Sequence, residues 1–249
     1  MPTWSPVQYL KFAAERTRPC HDLASRIKVV NVRGIIDLGS GPGNSTEVLA
    51  SLWRNAELTA LDNSLEMVEA GREKFPNYRW TSGDIVQWAT SETRNYDIVF
   101  SNAALQWIPD HAIVFPHLLE RVAPGGALAI QMPSDVQAPA NKLMRELAVL
   151  PVRSWHTHDI SFYYDLLSAH ASSLDLWETT YVHILDSAED IVEWYKGTGL
   201  RPFLDALETE AEREKFITGY LNGIRNAYPP RPDGHVLLPF RRIFLIAYR

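Results

Sequence analysis

Residues 35–46, IIDLGSGPGNST, set Gly39, Gly41 and Gly43 at alternate positions between an apolar run and a helix start. A strand-to-helix turn of this kind brings bare backbone close to a phosphate or a nucleotide. No Gly-Lys-Ser/Thr follows, so the phosphate-gripping lysine loop is absent. A dinucleotide fingerprint needs its last glycine at position 44, where Asn44 stands, flanked by Ser45. The acids sharpen the reading. Asp37 lies inside the glycine motif, Asp62 closes a second apolar run, and Asp84 follows Gly83 after a third. A carboxylate at Asp62 is able to accept both hydroxyls of an unphosphorylated ribose, and one at Asp84 suits an exocyclic adenine amine. Three acids at strand ends repel a pyrophosphate but suit a cationic nucleoside.

Three arginines are candidate partners for any anionic second ligand. Arg16 and Arg18 sit in an amphipathic N-terminal segment, and Arg201 follows the stretch 187–200. Arginine is the residue best matched to carboxylates, because its planar fork binds both oxygens. Tyr9, Gln106 and Trp107 are further candidates for the wall of such a site, whereas Arg241 and Arg242 adjoin the last strand and read as surface residues. His111 reads as a polar helix-start residue. His156, His158 and Asp159 lack a further ligand cluster, so no metal is expected.

Elements that alternate between short apolar runs and helical patterns must position these groups. Strands are expected at 34–38, 57–62, 77–84, 95–102 and, after Pro124-Gly125-Gly126, at 127–132. Asn44-Ser45-Thr46-Glu47 and Asn63-Ser64-Leu65-Glu66 both fit capping boxes. Behind them lie Val48, Leu49, Leu52 and Trp53, and then Leu65, Val68, Arg72 and Phe75 on one face. The second half reads as helix (140–149), helix (161–171), strand (174–185), helix from a Ser187 cap (187–200), helix in two pieces (202–228) and strand (240–248). The expected architecture is a doubly wound, Rossmann-like, mostly parallel seven-stranded sheet with an antiparallel edge strand. The chain reads as a single domain over 1–249. Its N-terminal helical segment (1–30) and helices inserted at about 187–235 are expected to cap the site.

The stretches IIDLGSGPGNST, LTALDNSLEMVEAG, TSGDIVQW and YDIVFSNAALQWIPDH resemble the class I S-adenosylmethionine-dependent methyltransferases. That resemblance implies that Asp37, Gly39, Gly41 and Gly43, with Asn44 and Ser45, line the methionine part of S-adenosylmethionine. It implies ribose contacts at Asp62, Asn63 and Met67, and adenine contacts at Gly83, Asp84 and Ile85. Asn102 and Ala103 would lie beside the sulfonium. YLKFAAERTRP, SNAALQWIPDHAIVFPHLL, LAIQMP, LMREL, TGLRPFL and LPFRRIFLIA resemble a subfamily that esterifies a small polycarboxylic acid, leaving S-adenosylhomocysteine. A carrier-protein acyl group, or cofactor binding without transfer, remains an alternative; a nucleotide-dependent oxidoreductase is disfavoured by Asn44 and the crowded carboxylates.

Composition sets the outer limits. With 249 residues, 46% hydrophobic and 22% charged, the chain is an ordinary globular protein. A net charge of −6 argues against a general nucleic-acid binder. The apolar runs are too short to span a bilayer. Cys20, the single cysteine, allows no internal disulfide, and MPTWSPVQYLKF lacks the pattern of a signal peptide, so a cytoplasmic protein is expected.

Overall fold

The computed structural model describes residues 12–148 and 155–249. Seven strands form one sheet in the order β3-β2-β1-β4-β5-β7-β6. They are β1 (Gly34–Leu38), β2 (Glu57–Asp62), β3 (Arg79–Ser82), β4 (Tyr96–Asn102), β5 (Val122–Pro133), β6 (Ser173–Leu185) and β7 (Val236–Tyr248). Strands β1 to β5 pair in parallel, while β7 runs antiparallel to β5 and lies between it and the outermost β6. The helices are α1 (Ala13–Ala24), α2 (Asn44–Leu52), α3 (Leu65–Lys74), α4 (Ile85–Ser91), α5 (His111–Glu120), α6 (Pro139–Leu147), α7 (Ile160–Leu167), α8 (Ala188–Lys196), α9 (Arg201–Asp205) and α10 (Glu210–Ala227).

The chain divides into two compact units. Among the described residues, one comprises 13–134, 156–179 and 242–249, and the other comprises 12, 135–148, 155 and 180–241. Strands β6 and β7 are each shared between them. In the sheet-based unit, side chains alternate across the pleat and give each face its own composition. Ile36, Leu38, Leu61, Val99, Leu128, Ile130, Met132, Ile243 and Leu245 form one face, buried with Phe115, Leu118, Tyr163 and Leu167 of α5 and α7. The opposite face carries small residues such as Ala60, on which Val68 of α3 and Trp80 pack. Trp80 also fixes the distance of α3, since a Cβ at Gly71 would lie 2.2 Å from its ring.

The other unit buries its own aromatic core, with Trp194 and Tyr195 of α8, Phe203 of α9, Phe216 and Tyr220 of α10, and Phe240. Ser187 caps α8, accepting from Asp190 N. Thr209 and Glu212 close a reciprocal capping box on α10, and the stretch expected as two helical pieces divides into α9 and α10 at 206–209.

Several local expectations are corrected. Helix α2 has Gly43 as its N-cap, in the left-handed region and without a side-chain bond, because Ser45 and Thr46 spend their hydroxyls on Asp37. Helix α3 is capped by Ser64, and its buried face is Met67, Val68 and Gly71; Leu65 and Arg72 point to solvent. Leu52 is exposed as well. Strand β5 starts five residues earlier than expected, since the Pro-Gly-Gly stretch remains in the ladder through Gly125 N to Arg249 O and Arg249 N to Gly126 O.

Candidate active site

All three loop glycines have positive φ: +71° at Gly39, +55° at Gly41 and +100° at Gly43. L side chains rarely adopt this region, so the turn itself requires glycine. What lies against each glycine differs. A Cβ at Gly39 would stand 2.2 Å from the Ala104 Cβ, and one at Gly43 would stand 2.9 Å from Phe75 and Trp80. At Gly41 none of the described residues lies within 4 Å. Side chains of the chain therefore press on two glycines, and no described residue presses on the third.

Asp37 points back into the turn from β1. Its Oδ2 accepts from Ser45 Oγ and Thr46 Oγ1, both at 2.7 Å, and its Oδ1 is buried with no partner among the described residues. Burial raises its carboxyl from 3.8 to about 6 against the two hydroxyl bonds, with Asp62 adding a smaller upward push. Asp62, at the end of β2, accepts from Gly41 N at 2.8 Å and from Ser64 N at 2.9 Å, one bond on each oxygen. Burial raises its carboxyl too, opposed by these backbone bonds. Asp62 thus locks the glycine turn to the start of α3. Asn63 is exposed beside it, and the Met67 side chain is buried.

Asp84 caps α4 with one oxygen, Oδ1 accepting from Val86 N and Gln87 N. The residue is exposed, leaving Oδ2 available. Gly83 N is tied to Asp62 O at 3.0 Å, and Ile85 is buried next to Gly39. At the end of β4, Ala103 takes a left-handed φ of 57°. That reversal seats Ala104 on Gly39, with Ala103 N bonded to Gln131 O and Ala103 O accepting from Gln106 Nε2. Asn102 Oδ1, Asn44 Oδ1 and Gln106 Oε1 are all buried without hydrogen-bond partners among the described residues.

These residues share a face. Register pairs Asp37 with Ala60 and Phe100, and Asn102 with Gln131; Gln131 in turn lies opposite Phe244. Counting two residues along each strand puts Asp62, Asp37, Asn102, Gln131 and Arg242 on one side of the sheet, at the carboxyl end of its parallel strands. In open α/β sheets ligands collect at that end. Arg242, expected at the surface, is only 4% exposed and donates to Gln131 Oε1 at 3.2 Å. Neither it nor Gln131 stood out as a site residue, although a lone glutamine inside ALAIQM was a usable signal.

The remaining candidates scatter. Arg16 on α1 is buried and Arg18 is exposed; Trp107 is half-buried in the turn after Gln106. Arg201 opens α9 in the other unit and pairs with Asp205 at 3.6 Å. Tyr9 lies outside the described residues. His111 opens α5 fully buried, Nδ1 facing Tyr163 Oη at 2.8 Å and Nε2 facing Leu105 O at 2.9 Å. His158 stacks on Phe162, and His156 N donates to Gln106 O.

The full length of this chain matches a trans-aconitate 2-methyltransferase of Azoarcus sp. (strain BH72), 44% identical over 263 residues and covering 100% of both chains. The chain belongs to the trans-aconitate 2-methyltransferase family. A second trans-aconitate 2-methyltransferase, from Afipia carboxidovorans, is 44% identical and again covers 100% of both. A family model described as a methyltransferase domain matches residues 35–126, the span that holds Asp37, Asp62, Asp84 and Asn102. Among solved structures, the YcgJ protein of Bacillus subtilis shares the fold, with a TM-score of 0.63 at 16% identity, covering 93% of this chain and 99% of that one. Family membership makes this chain a methyltransferase; YLKFAAERTRP, LAIQMP, LMREL, TGLRPFL and LPFRRIFLIA lie outside the span matched by the family model, whereas SNAALQWIPDHAIVFPHLL lies within it.

Proposed function

We infer that this enzyme transfers a methyl group from S-adenosylmethionine to one carboxylate of trans-aconitate, forming the monomethyl ester. The observation that carries the reading is the full-length match to relatives that bear that name. The donor set fits the cofactor: a buried carboxylate at Asp37 whose Oδ1 has no partner among the described residues, a second acid at Asp62, an exposed one at Asp84, and no described residue within 4 Å of a side chain built at Gly41. Asp37, Asn44, Ser45 and the glycine turn would hold the methionine part; Asp62, Asn63 and Met67 the ribose; Gly83, Asp84 and Ile85 the adenine; Asn102 and Ala103 the region of the sulfonium. Bound there, S-adenosylmethionine supplies an electrophilic methyl group, with S-adenosylhomocysteine as the second product.

A carboxyl group of ordinary pKa near 4 is already ionised at neutral pH, so no side chain needs to accept a proton. The work left to the chain is to hold the acid in line and to exclude water. Arg16, Arg18, Gln106, Trp107, Arg201 and Tyr9 are the positioning candidates for that task. The reading includes a cytoplasmic enzyme that uses neither nucleic acid nor membrane. A net charge of −6 argues against a general nucleic-acid partner, and among the described residues no helix is long and apolar enough to cross a membrane.

The test is methyl transfer from labelled cofactor to a panel of di- and tricarboxylic acids and to a malonyl-loaded carrier protein. The expected result is a base-labile ester formed fastest on trans-aconitate. Label only on the carrier protein, or on no acid at all, refutes the reading.

A further inference from the structure

Strand β5 is apolar from Ala127 to Met132 except at Gln131, which is fully buried. A buried amide costs free energy unless its donors and acceptor are used. Here the acceptor is used, because Arg242 Nη1 donates to Gln131 Oε1. The Nε2 donors have no partner among the described residues. Arg242 reaches this point from β7, where it pairs with Pro133 at the carboxyl end of β5. Gln131 is neutral, so it orients the guanidinium without cancelling its charge.

We propose that Arg242, oriented by Gln131, binds a carboxylate of the acid substrate and sets the preference for a polyanion. The assignment rests on the carboxyl methyltransferase reading above. A carboxylate seated here takes charge-assisted bonds from the guanidinium and gives the Gln131 Nε2 donors the acceptor they lack. The position suits the reaction. Asp37, Asn102, Gln131 and Arg242 occupy neighbouring strands of one sheet face in the order β1, β4, β5, β7. Three interstrand spacings, about 14 Å, separate the acidic end from the basic end. A cation held at one end and an anion held at the other meet at Asn102 between them.

Two variants test the assignment. Arg242→Gln removes the charge. Gln131→Glu keeps the arginine and places a competing carboxylate on it. Each is assayed for the dissociation constant of S-adenosylmethionine by calorimetry, and for kcat and KM with trans-aconitate and with dicarboxylate analogues that each lack one carboxyl group. In both variants the KM for trans-aconitate is expected to rise roughly 10- to 100-fold, the factor that loss of a charge-assisted bond represents. Cofactor affinity should stay within about twofold, and one dicarboxylate should lose its handicap relative to the tricarboxylate. Gln131→Glu guards against a folding artefact, since an ion pair in place of the amide bond preserves the packing of the pair. If Gln131→Glu leaves KM and analogue discrimination as in the parent chain, the arginine serves the fold alone and the proposal is overturned. If the parent chain itself methylates no carboxylic acid, the carboxyl methyltransferase reading fails first and this assignment falls with it.

Discussion

Replacing Asp37 with asparagine separates what the carboxylate does to the fold from what it does for the ligand. Asp37 is fully buried, and burial lifts its carboxyl from 3.8 to about 6. Two pKa units correspond to about 3 kcal/mol between the protonation states. The folded chain holds this proton more tightly than the unfolded one. The stabilisation is therefore complete below about pH 4, falls as pH rises through 6, and by pH 8 is gone, a loss of about 3 kcal/mol. Asparagine carries no charge in either state, and the Ser45 and Thr46 hydroxyls are able to turn and accept from its amide. Cofactor-free Asp37→Asn is thus expected to match the parent near pH 4 and to exceed it at pH 8, by up to about 3 kcal/mol. Urea denaturation at pH 4, 5, 6 and 8 measures the difference. Calorimetry supplies the other half. Asp37→Asn should bind S-adenosylmethionine at least tenfold more weakly. The parent should release a proton on binding near pH 6, because a cation beside Asp37 Oδ1 favours its ionised form. Parallel stability profiles in the two chains, or unchanged affinity in the variant, refute the reasoning.

The glycine turn gives a contrast. Gly41→Ala, with open space and a φ of +55°, should cost the fold only about 1–2 kcal/mol of left-handed strain while cutting cofactor affinity at least tenfold. Gly39→Ala should add to that strain a clash with Ala104 at 2.2 Å and destabilise the chain measurably more; thermal melts that rank the two variants the other way reject this division of roles. Asp62→Ala removes the acceptor for Gly41 N and Ser64 N and should weaken cofactor binding by about 1.5–3 kcal/mol, and calorimetry showing equal affinity would remove Asp62 from the site.

The doubly wound sheet was legible because its signals are local: apolar runs of strand length, each followed by a helix start. The acids were legible for the same reason, since Asp37, Asp62 and Asp84 end or flank strands that the pattern marks. What the pattern leaves open depends on residues far away in the chain. Ser45 and Thr46 look like the start of a capping box until Asp37 takes their hydroxyls. Gly43 looks like a ligand contact, yet Phe75 and Trp80 already account for its missing side chain. Arg242 alternates with Phe244 and Ile246 and so belongs to one strand face, but whether that face is wet or dry is decided by Gln131, 111 residues earlier. The early start of β5 is a similar case, for the ladder bonds that hold Gly125 and Gly126 come from Arg249.

The shared sheet face also bears on which acceptors the enzyme is able to serve. A phenol or an amine must lose a proton near the moment of transfer and needs a base within hydrogen-bond reach. His111 is poorly suited, with one ring nitrogen on Tyr163 and the other on Leu105 O, and with burial lowering its pKa. Asp62 has both oxygens committed to backbone N–H groups, and Asp37 faces the turn behind Ser45 and Thr46. The groups between the acidic and basic ends, Asn102 and Gln131, are amides that neither take up nor release protons at neutral pH. An acceptor that arrives already ionised needs nothing more from such a surface than a cation to hold it, and Arg242 is a buried cation on that face of the sheet.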